Sequence, residues 1–146
     1  MSERDDFLSA VIPQQIAAER ALHNGDAEPR RAIYSRNDPV TIFGAGANVS
    51  GWDDVDRAFV WLESVFSECE SYEFDVVVAD VIGDLAYTGG YEHVTASVNG
   101  VRQTFSLRVT HLYRREGGEW KIVHRHANPA SPVEVPTAPD DLSAAS

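Results

Sequence analysis

Three patterns in the chain point to an α+β domain with its helices first and one antiparallel sheet after them. Apolar residues recur at helical spacing through the first half, the period changes to two after Ser71, and glycine-containing turn signals then separate four long strand candidates. At 146 residues with 43% apolar content, the chain is sized for one domain whose core needs no metal or disulfide staple.

Phe7, Leu8, Val11, Ile12, Ile16 and Leu22 make the stripe of a first helix, which Asn24-Gly25 ends with a left-handed stop signal. Pro13 lies inside this stripe, so the helix either kinks there or follows a separate short turn. Asp26 offers an N-cap, with Glu28 and Pro29 in the first turn of a second helix that runs to the region of Tyr34–Asn37 before Asp38-Pro39. Val40–Phe43 reads as a short strand and Gly44–Asn48 as a loop. That loop lacks the spacing of a phosphate cradle. Val55, Phe59, Leu62 and Phe66 predict a third helix from Trp52 or Asp53 to about Cys69, with Asp53, Asp54 and Asp56 favouring its N-terminus. The strands follow as Tyr72–Ile82, Leu85–Ser97, Arg102–Arg115 and Trp120–Asn128, joined at Gly83-Asp84, Asn99-Gly100 and Gly117-Gly118. Residues 1–130 form the expected domain. Residues 131–146, with Pro132, Pro136 and Pro139, read as a disordered tail.

Composition narrows the function. A net charge of −11 argues against nucleic-acid or anionic-membrane partners, and no apolar run approaches the length of a membrane span. Cys69 is the one cysteine, which with a polar, acidic start to the chain reads as a reducing cytoplasm. Of the 12 basic residues only Lys121 is a lysine. Arginine suits fixed, bidentate recognition of planar oxyanions.

If Gly117-Gly118 is a two-residue hairpin turn, Glu116 faces Glu119. Unbroken pairing then places Tyr113 opposite Ile122, His111 opposite His124 and Val109 opposite His126 on one face. The other face carries Thr110 opposite Arg125 and Arg108 opposite Ala127, and a slip of one residue would exchange partners. With Trp120, Ile122 and Tyr113 beside them, the three histidines read as a packing or dimer surface rather than a zinc site. No metal and no cofactor is expected. Arg108, Thr110 and Arg125 in mid-strand are either a ligand site, since a buried arginine needs a carboxylate or a wet cavity, or a solvated face.

Several motifs together resemble the SnoaL-like group of the nuclear transport factor 2-like superfamily: LHNGD at 22–26, DPV at 38–40, GWDDVDRAF at 51–59, GDLAYTGGYEH at 83–93 and LRVTHLYRREGGEWKIVHRHAN at 107–128. The last stretch is also similar to the association domain of calcium/calmodulin-dependent kinase. The resemblance implies a cone: a curved antiparallel sheet with three N-terminal helices packed on its concave face. It implies that Tyr87, Tyr91, His93, Arg108, Thr110 and Arg125, with Trp61, face a ligand pocket, although the association domain's third pocket arginine falls on Ala127. His111, His124, His126 and Trp120 are then left to the convex face, where this superfamily usually dimerises. Similarity to ketosteroid isomerase places its general base on Asp38. Its oxyanion donors fall on Ala18 and Thr110, so Arg108 or His93 would have to replace them.

Two readings result. One is a pocket protein for a small carboxylate or enolate, with acid/base isomerase, cyclase or dehydratase chemistry at Asp38. The other is a non-catalytic dimer that binds a ligand or serves association.

Overall fold

The computed structural model describes residues 2–44 and 47–130. Residues 131–146, the expected tail, lie outside the described residues. Helix α1 (Glu3–Leu22) is capped by the Ser2 hydroxyl, which accepts from the Asp5 N–H at 3.1 Å, and it carries Glu3, Asp5 and Asp6 in its first turn. Pro13 lies within this helix and does not divide it. Its buried stripe is Phe7, Val11, Gln15, Ala18, Glu19 and Leu22, so two polar residues occupy positions that spacing assigns to the core.

Helix α2 (Glu28–Ile33) is shorter than the pattern suggested, because Tyr34 turns extended at ψ 148° and bridges Ile122 of the sheet. Gly44–Asn48 is not the plain loop expected. Strand β1 (Thr41–Gly44) and β2 (Ala47–Ser50) form a hairpin in which Gly44 pairs with Ala47. Helix α3 (Trp52–Val65) also stops early: Phe66 goes extended at ψ 144° and opens β3 (Phe66–Ile82) at once, packing its ring 4.5 Å from His23.

Strands β4 (Leu85–Val98), β5 (Val101–Glu116) and β6 (Glu119–Pro129) complete one sheet in the order β2-β1-β6-β5-β4-β3. Every neighbouring pair is antiparallel except β1 with β6, which run parallel, so the sheet is mixed rather than antiparallel throughout. It is curved and not closed. The three long hairpins turn where the sequence indicated. Asn99 and Gly100 both take positive φ, as do Gly117 and Gly118, which suits the right-handed twist of the flanking strands. The larger of two core clusters lies between the helices and the inner face, where Phe7 meets Tyr113 edge-on at 5.0 Å and Tyr34 meets Phe59 at 5.0 Å.

The expected register of β5 and β6 holds only from the turn to Tyr113, which does face Ile122. The next pair is Leu112 with His124, so Val123 is an extra residue, a β-bulge on β6. Past it, His111 faces Arg125, Thr110 faces His126 and Val109 faces Ala127. Ile122, Arg125 and Ala127 therefore all point inward and are buried at 1%, 6% and 3% exposure, where an unbroken strand would have turned Ile122, His124 and His126 the same way.

Candidate functional site

The inner face of the sheet is polar where it is most deeply buried. Ala79, Thr88, His111, Arg125 and Ile42 form one row across five strands, each residue paired with the next. Helix α1 lowers Gln15 and Glu19 onto the same region, and α2 supplies Arg30 from an 11-residue separation in sequence. All of these except Ala79 and Ile42 are polar, and none is more than 6% exposed.

Their hydrogen bonds form one connected network. Arg125 binds Glu92 with both terminal nitrogens, at 2.8 and 3.1 Å, and lies 3.8 Å from Glu19. Arg30 binds both oxygens of Glu19, at 2.5 and 2.7 Å. Tyr72 donates to Glu92 at 2.5 Å and accepts from the Gln15 amide at 3.0 Å. Arg125 Nη1 also lies 3.1 Å from His111 Nε2. Because a guanidinium only donates, Nε2 is the accepting nitrogen and Nδ1 carries the imidazole proton. That Nδ1–H has no partner among the described residues, and neither have Tyr34 OH and Gln15 Oε1, while the Thr88 and Tyr113 hydroxyls have only each other.

Burial and charge set the protonation states. Burial drives His111 well below the ordinary imidazole range, reinforced by Arg125, so it is neutral. Burial raises Tyr34 to about 12 and pushes Tyr113 up as well, so both phenols keep their protons. Burial alone would raise Glu19, but Arg30 and then Arg125 hold it well below the usual carboxylate range. Burial would lower Arg125, and Glu92 and Glu19 more than offset it. The two arginines and two glutamates thus form a charge-balanced interior.

The residues expected to line the pocket divide between the two faces. Arg125 points inward. Tyr87, Tyr91, His93, Arg108 and Thr110 point outward and are half-buried or exposed, because β4 buries Ala86, Thr88, Glu92 and Val94 while β5 buries Val109, His111 and Tyr113, which turns the residues between them out. They remain neighbours there: Tyr91 faces Arg108, and His93 is held between Ser106 at 2.7 Å and Asp75 at 2.9 Å. Trp61 is 50% exposed on α3. Asp38 is exposed too. Its carboxylate accepts the Trp52 N–H at 2.9 Å at the start of α3, which makes it a helix-capping group apart from the interior network.

The histidines are corrected in the same way. His124 and His126 lie outward beside Phe43, as expected of a convex face, but His111 is interior and Trp120 packs against Phe7 at 5.3 Å. The described residues contain no cluster of three metal-ligating side chains.

The network's other members were not singled out from the sequence. Gln15 and Glu19 could have been, since they sit one and two turns beyond Val11 on the apolar stripe of α1. Glu92 stands in the inward phase of Ala86, Val94 and Ala96, which was legible once those residues were taken as core. Arg30 and Tyr72 carried no such signal.

A curved sheet wrapped on helices, with an ionised and hydrogen-bonded interior, defines a cone-type α+β domain with its candidate chemistry on the inner face. Residues 16–132 match the SnoaL-like domain, and the chain belongs to that family. Solved structures agree in fold. A Streptomyces avermitilis protein of the NTF2-like family that bears a dehydratase designation superposes with a TM-score of 0.69 at 22% identity, over 87% of this chain and 98% of that one. A ketosteroid isomerase-like protein from Erwinia carotovora gives 0.68 at 22% identity, over 88% and 99%. A Thiobacillus denitrificans protein designated a calcium/calmodulin-dependent protein kinase type II association domain gives 0.60 at 17% identity, over 87% and 92%. At these identities the likeness concerns the fold. No curated protein matches the sequence.

Proposed function

We propose that this chain binds a small molecule on the inner face of its sheet and associates as a dimer through the outer face. The observation that carries the first part is the interior network itself. A sheet face covered by helices is most stable when apolar, and replacing buried ion pairs by apolar groups is often stabilising. This interior instead holds two arginine–glutamate pairs, a neutral histidine and three tyrosines. Such a set is what a binding site requires and what a core does not. Each interior carboxylate is engaged by an arginine, so the arrangement supports binding ahead of acid/base turnover.

The outer face supports the second part. Phe43, Val78, Leu85, Tyr91 and Leu112 are each at least 40% exposed on it, and it also carries His124 and His126. Several large apolar side chains exposed on one open sheet face suit a contact surface. Helices cover the opposite face, which leaves this one open to a second copy.

The test is Arg125→Met combined with Glu92→Met. The pair removes both charges together, so the fold is expected to melt within a few degrees of the parent. A fragment screen by thermal shift should find ligands that stabilise the parent and not the double variant. Ligands that stabilise both equally would remove the interior as the site. For the dimer, light scattering should give twice the chain mass, and Leu112→Lys should halve it. A monomeric parent refutes that part.

A further inference from the structure

We infer that His124 and His126 chelate a divalent transition-metal ion of the zinc type on the outer face of the sheet. The site lies apart from the interior network and uses no residue of it.

The bulge at Val123 creates the pair. Unbroken pairing would have gathered His111, His124 and His126 on one face, whereas the structure buries His111 and leaves the other two outward, two residues apart on β6. Regular pairing resumes at this point. His124 lies between Thr41 of β1 and Leu112 of β5, and His126 between Phe43 and Thr110, so the backbone of both ligands is held from either side.

The spacing suits one ion. A metal about 2.1 Å from a nitrogen of each ring brings two imidazole centres to about 5.2 Å at a tetrahedral angle. The two rings stand 6.4 Å apart, with their planes 67° from parallel. About 1 Å of closure is therefore needed, and rotation of the exposed His126 ring supplies it.

The surroundings prepare His124 as a ligand. Its Nδ1 lies 2.6 Å from Thr41 Oγ, which accepts Nδ1–H in the tautomer that leaves the Nε2 lone pair for the ion. A ligating imidazole is ordinarily oriented by an acceptor on its far nitrogen. Burial, then the neighbouring His126, holds His124 below the ordinary imidazole value, so protons compete weakly for it at neutral pH. Thr41, Phe43, Thr110 and Leu112, the outward neighbours across the strands, carry no charge to repel a cation. Arg108 lies a row further along β5, opposite Asn128. Two imidazoles select a zinc-like ion over magnesium or calcium, which prefer oxygen ligands. With no cluster of three ligating side chains among the described residues, water completes the coordination on the side away from the sheet.

Calorimetric titration of the whole chain with zinc chloride at pH 7.5, after treatment with a chelator, tests this. Saturation is expected at about one ion per chain, the yield of one chelating pair. His124→Ala and His126→Ala should each weaken binding by about tenfold or more, and Thr41→Val, which conserves shape, by about tenfold, the scale of a lost orienting partner. Excess magnesium chloride should not displace the zinc. Each variant is checked for a cooperative melt. Zinc binding that survives both histidine substitutions, or that magnesium displaces, places the ion on carboxylates elsewhere and overturns the site. The absence of saturable binding by the parent overturns it as well.

Discussion

Arg108 and Arg125 lie on adjacent strands of one hairpin and differ in everything that governs their energetics. Arg108 is exposed on the outer face, opposite Asn128. Arg125 is 6% exposed, bonded to Glu92 and His111 and close to Glu19. The same side chain is a solvated surface group in one place and the hinge of a buried network in the other. The two faces follow suit. Inside, polar groups are paired or aimed at one another. Outside, aromatic, aliphatic and imidazole groups are exposed.

The bulge at Val123 decides that division, so giving Val123 a partner, by inserting one alanine between Leu112 and Tyr113 of β5, should have the largest effect. The insertion would let the strands pair without a bulge, turn Arg125 to the outer face and His124 to the inner one. Circular dichroism should show no cooperative melt. A native-like melt would mean that the bulge does not select the face.

Next in size, Arg125→Ala leaves Glu92 buried with Tyr72 as its remaining bonding partner and should cost about 3–5 kcal/mol in urea unfolding, as loss of one member of a buried pair does. A cost under about 1 kcal/mol would show that the interior relaxes or hydrates freely.

Acid should destabilise the protein through the interior. Burial holds His111 and His23 below the ordinary imidazole value of 6.5, so the unfolded chain takes up protons first as the pH falls past that value. Stability is therefore full above about 6.5 and declines below it, by at most about 1.4 kcal/mol per pH unit for each histidine. Glu19 acts in the same sense lower down: it is held below its ordinary 4.5, and its contribution is lost as the pH falls beneath that value. His111→Gln keeps an acceptor for Arg125 and should reduce the slope between pH 6.5 and 5, to which His23 and the partly buried His124 also contribute, by about a third or more. An unchanged slope would assign the titration to other groups.

Smaller effects belong to the outside. Asp38→Ala removes the acceptor for the Trp52 N–H and should cost about 1 kcal/mol, whereas Asp38→Asn should be nearly neutral. Equal costs would mean that the charge matters more than the bond. Arg108→Ala should lie within about 0.5 kcal/mol of the parent in the same assay. A larger change there would mean that the outer face is buried in the assembled protein.

Most of the fold was legible. Helical spacing located all three helices, and the three glycine-containing turns of the long strands fell where expected, since turn geometry is a local property of two or three residues. Ends were harder. Helix α2 stops at Ile33 because Tyr34 is captured by Ile122, and α3 stops at Val65 because Phe66 packs on His23. Both stops are enforced by residues distant in sequence. Of the residues that the resemblance turns inward on the sheet, Arg125 alone is on the inner face. Tyr87, Tyr91, His93, Arg108 and Thr110 were found as a group, and the structure keeps them together on the opposite face.

What the chain determined by itself was phase: which residues alternate, which share a side, and where each strand turns back. Tertiary structure decided which side is in. Phase is set within a strand by its own geometry, but the inner face is set by where α1 and α2 dock and by one extra residue in β6. A shift of a single position there reverses every side chain beyond it at no local cost that composition or spacing reveals.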